Sequence, residues 1–152
     1  MDKFKIQIKE LTNFDISSIE KEFNKNFDDF WSISILKEDF KSDFSKYIVA
    51  KNGNEIVGIA GIKIILNEAT IMNIVTKVDK RNLGIGSILL ENLIILSKKS
   101  NCDLINLEVN ENNLPAIHLY DKFNFKGIGL RKKYYNNKDN AILMELNIQD
   151  EK

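Results

Sequence analysis

The segment Arg81-Asn82-Leu83-Gly84-Ile85-Gly86 separates an apolar stretch, Ala69 to Val78, from apolar residues at helical spacing, Ile88, Leu89, Leu93 and Leu96. A helix that begins there has backbone N–H groups with no intrahelical partner, and such a terminus attracts anions. Glycines at 84 and 86 let the main chain turn tightly and approach a phosphate without interference from a Cβ, and the helix dipole adds to the attraction. A pyrophosphate-bearing cofactor suits this loop. Two other nucleotide readings fail on spacing. A Walker-type loop needs Lys and then Ser or Thr directly after its second glycine, whereas Ser87-Ile88 follows Gly86. A dinucleotide fingerprint needs a third glycine where Leu89 stands, and it normally follows the first strand of its domain. Two glycines before a helix also serve simple chain reversal, which spacing alone leaves open.

Groups able to move protons lie downstream. Within Leu104 to Val109, Ile105, Leu107 and Val109 share one face of a predicted strand, and Asn106 and Glu108 share the other. Glu108 is therefore set apart from the apolar layer and is able to accept a proton from an amine, directly or through water; a solvated strand carboxylate would show the same spacing. Tyr120 carries a neutral hydroxyl at pH 7, with an ordinary pKa near about 10, and is able to donate to a departing thiolate. Its place on a helix face with Ala116, Leu119 and Phe123 equally suits a core residue. His118, the single histidine, projects away from that face and reads as an exposed helix residue rather than a base. Arg131-Lys132-Lys133 reads as a solvated strand edge rather than a nucleic-acid site.

Elements that would position these groups follow from periodicity. Phe4, Ile6 and Ile8 alternate as a first strand, and Thr12 with Asp15 forms a capping-box variant opening an amphipathic helix through Ile16, Ile19 and Phe23, with Phe27 and Phe30 extending its stripe. A second helix runs through Leu36, Phe40 and Phe44. Tyr47 to Lys51 and Glu55 to Leu66 form a hairpin across Asn52-Gly53-Asn54. Ala69 to Val78, nearly continuous in apolar residues, predicts a central strand covered on both faces. A long helix follows the glycine loop, with Lys98 and Lys99 at its negative end. Asn113 caps a short helix with Pro115 in its first turn, and strands Lys126 to Tyr134 and Asn140 to Ile148 close the chain as an antiparallel pair. The order β-α-α-β-β-β-α-β-α-β-β predicts an α/β single domain over 1–152, a mixed central sheet of about seven strands with about four helices.

Bulk properties narrow the function classes. A chain of 152 residues with 43% hydrophobic and 29% charged residues is sized and balanced for one globular core. Lys plus Arg and Asp plus Glu number 22 each, so no net field draws the chain to nucleic acid or an anionic membrane. Cys102 has no disulfide partner and no Cys or His at metal-ligand spacing, which suggests a buried packing residue, a reducing compartment and no metal. No signal-peptide pattern and no apolar run of about 20 residues are present, so a cytoplasmic protein is expected. The abundance of Asn, Lys and Ile resembles a nucleotide-composition bias, and isolated examples carry little weight.

Arg81-x-x-Gly84-x-Gly86 in this order of elements resembles the acyl-CoA loop of the GNAT acetyltransferase superfamily. Over almost the whole chain the resemblance narrows to the bacterial ribosomal-protein alanine N-acetyltransferases. It is carried by Phe30-Trp31-Ser32, Glu68-Ala69-Thr70, Asn73-Ile74, Leu107-Glu108-Val109, Asn113, Ala116-Ile117, Leu119-Tyr120, Arg131 and Tyr134-Tyr135. The resemblance implies acetyl-CoA as co-substrate, with its diphosphate on Arg81, Asn82, Leu83, Gly84, Ile85, Gly86 and Ser87. It also implies pantetheine along the main chain of Ile74, Val75 and Thr76 and against Asn113, Glu108 as general base and Tyr120 as general acid. Trp31, Tyr134 and Tyr135 are expected to wall the acceptor pocket, since such aromatics pack an extended peptide while offering polar tips. The implied acceptor is a protein N-terminus, such as that of a small ribosomal protein, and the implied state is a monomer or weak dimer. Phe30 in place of the loop's proline, Lys77-Val78 in place of Asp-Pro and a shorter turn before Asp139 are departures, the first and last of them near where the acceptor enters. A small-molecule amine, a protein lysine, and a non-catalytic acyl-CoA-binding module are the competing readings.

Overall fold

The computed structural model describes residues 5–27, 32–135 and 138–149. Strand β1 (Ile6–Glu10) leads to helix α1 (Asn13–Ile19), which is opened as its sequence requires. The Thr12 hydroxyl accepts the Asp15 N–H at 3.1 Å and the Asp15 carboxylate accepts the Thr12 N–H at 3.0 Å, so two orphan donors are satisfied reciprocally. A 3-10 turn at Glu20–Glu22 carries the path into α2 (Phe23–Asn26), and Ser32 caps α3 (Ile33–Phe40). Phe44, expected on α3, lies beyond it and is 57% exposed. That helix closes early because Lys41 and Ser42 donate back to Glu38 and Asp39, and the Ser42 hydroxyl then takes the Phe44 N–H in a turn.

The remaining elements are β2 (Ser45–Asn52), β3 (Glu55–Ile65), β4 (Glu68–Thr76), α4 (Ile85–Lys99), β5 (Leu104–Asn110), α5 (Leu114–Lys122), β6 (Lys126–Tyr135) and β7 (Asp139–Asn147). The seven strands hydrogen-bond in the order β1-β2-β3-β4-β5-β7-β6. β4 and β5 run parallel, whereas β1–β2, β2–β3, β5–β7 and β6–β7 are antiparallel, so the sheet is mixed as expected. Gly53 turns the β2–β3 hairpin with φ of +65°. Among the described residues no helix is long and apolar enough to cross a membrane.

The chain divides into two compact units, Met1–Lys63 with Met72–Leu96 and Ile64–Ile71 with Ser97–Lys152. In the first, Ile16, Ile19, Phe23, Phe27 and Leu36 of the helical layer form one buried cluster with Tyr47, Val49, Ile59 and Val75 of the strands. Ile85, Leu89, Leu90 and Leu93 form the buried side of α4. The strand buried on both faces is β3, from Ile56 to Ile62, and not β4, where only Ala69, Ile71 and Val75 are buried. Glycines and an alanine at 58, 60 and 61 hide β3 from a hydrophobicity reading, yet they are what admits neighbours at short range. A Cβ at Gly58 would come within 2.8 Å of Leu89 Cδ1, 2.9 Å of Ile85 Cγ2 and 3.3 Å of the Val75 carbonyl oxygen.

The second unit buries Ile105, Leu107, Val109, Phe125, Met144, Leu146 and Ile148. It also buries Cys102 completely, in the packing role expected of it. The position is fixed by the end of α4: Asn101 takes φ of +62° and donates to Lys98, while the Cys102 N–H reaches the Ser97 carbonyl at 3.0 Å. This left-handed closure satisfies the terminal carbonyls and turns Cys102 inward.

Two carboxylates brace the first unit. Asp15 pairs with Lys51 at 2.8 Å, and Asp39 accepts from the hydroxyls of Tyr47 and Ser45 and pairs with Lys63 at 3.1 Å. Burial pushes both carboxyls up, but these hydrogen bonds and cations outweigh it and hold each below the usual 3.8. Burial and then the Asp39 hydrogen bond hold the Tyr47 phenol well above its ordinary value.

Two outcomes are expected. Gly58→Val should destabilise the fold by about 1–3 kcal/mol through overpacking against α4, read as a lower urea midpoint at unchanged slope. A carboxyl depressed in the folded state stabilises above its unfolded pKa and loses that contribution as pH falls through its folded one. Stability should therefore hold from neutral pH to about pH 5 and fall below about pH 4, and Asp39→Asn should flatten that fall in urea titrations run across the acid range.

Candidate active site

In the first unit, β4 passes through a 3-10 turn at Val78–Lys80 to the exposed loop Arg81, Asn82, Leu83 and Gly84. Asn82 and Gly84 take φ of +65° and +82°, so the loop makes two left-handed steps in three residues. The first intrahelical bond of α4 is Ile88 N–H to the Gly84 carbonyl at 3.2 Å. The amides of Ile85, Gly86 and Ser87 come before that bond, at the positive end of a 15-residue helix. Gly84 is exposed with nothing within 4 Å of where a Cβ would stand, while Ile85 is 1% exposed and anchors the loop to the core. A row of forward-facing amides beside an open glycine fits a diphosphate. Gly86 itself is the second residue of α4, so its part in the turn is smaller than its spacing suggested.

β4 approaches this loop with Met72, Asn73 and Ile74 half-buried. Its parallel ladder to β5 consists of Glu68↔Leu104, Ala69↔Ile105 and Thr70↔Asn106, whereas the strand itself continues to Thr76. Ile74 and Thr76 are half-buried, and Val75 belongs to the core cluster. Lys77, standing where the resemblance would place aspartate, donates its N–H to the Val57 carbonyl at 2.8 Å and pairs through Nζ with Glu55 at 2.7 Å.

In the second unit β5 has the two faces its sequence predicts. Ile105, Leu107 and Val109 are buried, and the opposite face is a polar row tied to neighbouring strands. Asn106 accepts from the Thr70 hydroxyl at 2.9 Å, and Asn110 donates to Asp139 at 3.1 Å. Glu108, half-buried between them, pairs through Oε1 with Arg131 Nη2 at 3.0 Å. Arg131 is thus engaged with a strand carboxylate rather than being only a solvated edge residue, a pairing invisible without the register that brings the two strands together.

Asn113 caps α5 by accepting the Ala116 N–H at 3.3 Å, with Pro115 in the first turn. His118 is exposed, as expected. Tyr120 is the buried residue of α5 at 7% exposure, its ring 5.7 Å from that of Phe125. Phe123, expected on the same inward face, is instead the residue at which the helix ends, with the Lys122 ammonium 5.8 Å from its ring. The end is again a left-handed closure. Asn124 takes φ of +72° and donates to Asp121, and the Phe125 N–H reaches the Tyr120 carbonyl at 3.0 Å. Trp31 lies outside the described residues, and so do the side chains of Tyr134 and Tyr135, whose backbone ends β6.

Residues 15–125 match the model of the Acetyltransferase (GNAT) family. The ribosomal protein bS18-alanine N-acetyltransferase of Haemophilus influenzae is 33% identical over 118 residues, covering 75% of this chain and 80% of that protein. The crystal structure of the ribosomal-protein-S18-alanine N-acetyltransferase from Escherichia coli is similar with a TM-score of 0.85 at 26% identity, over 95% of this chain and 94% of that one. Arabidopsis thaliana NAA60 in complex with acetyl-CoA shares the fold with a TM-score of 0.81 at 17% identity, over 95% of this chain and 99% of that one.

The closure behind Tyr120 is open to a direct check. Asn124→Val should cost about 1–2 kcal/mol, because a β-branched residue is forced into a left-handed conformation, whereas Asn124→Gly should leave the urea midpoint unchanged or raise it.

Proposed function

Because the chain belongs to the acetyltransferase (GNAT) family, we propose that it transfers an acetyl group from acetyl-CoA to the N-terminal α-amine of a protein, with a small ribosomal protein as acceptor. N-acetyl transfer is the family's chemistry, and the acceptor class rests on one observation, the likeness over most of the chain to enzymes named for the alanine of ribosomal protein bS18. The whole of 1–152 acts as one catalytic domain, a reading supported by the interleaving of the two units in sequence, which leaves neither as a separable stretch. The cytoplasm, where ribosomal proteins are made, is its place of action.

Acetyl-CoA supplies an acetyl group activated as a thioester. The amides of Ile85, Gly86 and Ser87 hold its diphosphate, with Gly84 giving the approach and Arg81, Asn82 and Leu83 flanking it. Main-chain groups of Ile74, Val75 and Thr76 pair with the pantetheine arm as a partial added strand, which suits a β4 whose ladder to β5 ends at Thr70. Asn113 keeps Oδ1 on its helix cap and offers its amide group to the same arm.

Glu108 takes the proton that the amine must lose, and Tyr120 gives one to the departing sulfur. An α-amine, with an ordinary pKa of about 7.7–8.0, surrenders its proton far more readily than a lysine near about 10.4, so a carboxylate base suits a protein N-terminus better than a lysine side chain. Tyr120 is held for its task by the Phe125 ring and by the left-handed end of its own helix. Trp31, Tyr134 and Tyr135 form the walls of the acceptor pocket.

Mass spectrometry of an N-terminal peptide library incubated with the protein and acetyl-CoA should find α-acetylated products. Glu108→Gln should lower kcat about 10²–10⁴-fold, and Tyr120→Phe should lower it as well, both with CoA affinity unchanged by titration calorimetry. Turnover of simple amines with no peptide turnover would sink the acceptor reading, and a folded protein that binds no CoA would sink the cofactor site.

A further inference from the structure

We propose that Arg131 is a positioning residue for acetyl transfer, its guanidinium fixing one oxygen of the Glu108 carboxylate so that the other is presented to the amine. The inference rests on Glu108 being the base, as proposed above.

The contact is a single one, Arg131 Nη2 to Glu108 Oε1 at 3.0 Å. It reaches over a strand, because β7 lies between β5 and β6 in the sheet order. Adjacent strands are about 4.8 Å apart, so the two backbones are roughly 10 Å apart and only two long side chains can close the gap. Register allows it. Glu108 and Gly129 flank Leu143 on β7, and Asn110 and Arg131 flank Ala141, so the pair runs diagonally from one row to the next. Along that diagonal Ala141 offers only a methyl group and Gly129 no side chain at all. A Cβ at Gly129 would stand 3.2 Å from Leu143 Cδ1, so the row is already filled without one.

Stability is a poor explanation for the pair. The Arg131 side chain is 52% exposed and that of Glu108 29%, and ion pairs so open to water contribute little to folding. Orientation explains it better. A strand glutamate on a half-open face samples several rotamers, and one N–H donated to Oε1 selects among them. A carboxylate has about four acceptor positions, so Oε2 stays available to receive the proton released as the amine N–H bond breaks. The neighbours in the polar row are held in the same manner, Asn106 by Thr70 and Asn110 by Asp139, each across a strand boundary. At Glu108 the tie is ionic and its partner comes from the next strand but one.

Steady-state kinetics with acetyl-CoA and an N-terminal peptide, on wild type, Arg131→Met, Arg131→Lys, Glu108→Gln and the double variant Glu108→Gln with Arg131→Met, tests this. Arg131→Met should lower kcat about 10- to 10²-fold, as expected for a misplaced catalytic group, with KM for acetyl-CoA and the thermal midpoint unchanged. Arg131→Lys should recover most of the rate, since one donated N–H is all the contact uses. The double variant should be no slower than Glu108→Gln, because Arg131 acts through that carboxylate. Wild-type kcat in Arg131→Met, a further loss in the double variant, or a drop in thermal midpoint that accounts for the lost rate would each overturn the assignment while leaving the acetyltransferase reading intact. Absence of turnover by the wild type with every acceptor would remove the underlying reading, and this one with it.

Discussion

The close approach of α4 to β3 at Gly58 is the constraint on which the first unit depends. A helix terminus presents its unbonded amides to a ligand only if the helix is held at a set depth, and here depth is decided by what the strand beneath does not carry. With no Cβ at 58, Ile85 and Leu89 sit against the strand, and Ile85 is at once the first residue of the helix and a buried anchor. One residue earlier Gly84 is exposed at φ of +82°. Core packing and ligand geometry are therefore one peptide bond apart, and the amides that follow inherit the rigidity of the core rather than the mobility of a surface loop.

The second unit solves a different problem, that of holding polar side chains still on a half-open face. Burial alone would not serve, because a fully desolvated carboxylate favours its neutral form. β5 instead keeps its apolar residues on one side and ties each polar residue of the other side to a neighbouring strand. Tyr120 is handled in the opposite way. Its ring is buried against Phe125, and its backbone carbonyl receives the N–H that closes the helix, so the direction of the side chain follows from where α5 stops.

Features that depend on consecutive residues were legible in the chain. The Thr12–Asp15 capping box, the glycine loop before α4, the alternation of β5, the Asn113 cap and the order of all the elements are each written within a few positions, and periodicity or capping chemistry reads them directly. Features that depend on which strands become neighbours were not. The double-sided burial of β3 was masked by Gly58, Ala60 and Gly61, while the apolar run of β4 proved half-buried. The Glu108–Arg131 pair joins positions 23 residues apart through an intervening strand, and only the register Glu108↔Leu143 and Arg131↔Ala141 brings them into reach. Phe44 failed for a local reason, since a Ser42 turn outcompeted another helical step.

Asparagine was the residue most undervalued by composition. Asn82, Asn101 and Asn124 all take positive φ, in the loop before α4 and at the ends of α4 and α5. Asparagine tolerates the left-handed region better than other side chains because its short amide finds local hydrogen bonds there, so it serves where the angle alone is needed. Glycine is used at 58 and 61, where a Cβ would strike Leu89, Ile85 or the Tyr47 ring. Gly53 and Gly84 fall between these classes, both left-handed and both with open space around the missing side chain. Their angles do not distinguish them. What distinguishes them is the backbone that follows, since Gly53 returns the chain to a paired strand while Gly84 releases it into amides that precede the first bond of a long helix. A left-handed glycine becomes a binding element through the donors it uncovers, and in this chain only the second of the two uncovers any at a helix entrance.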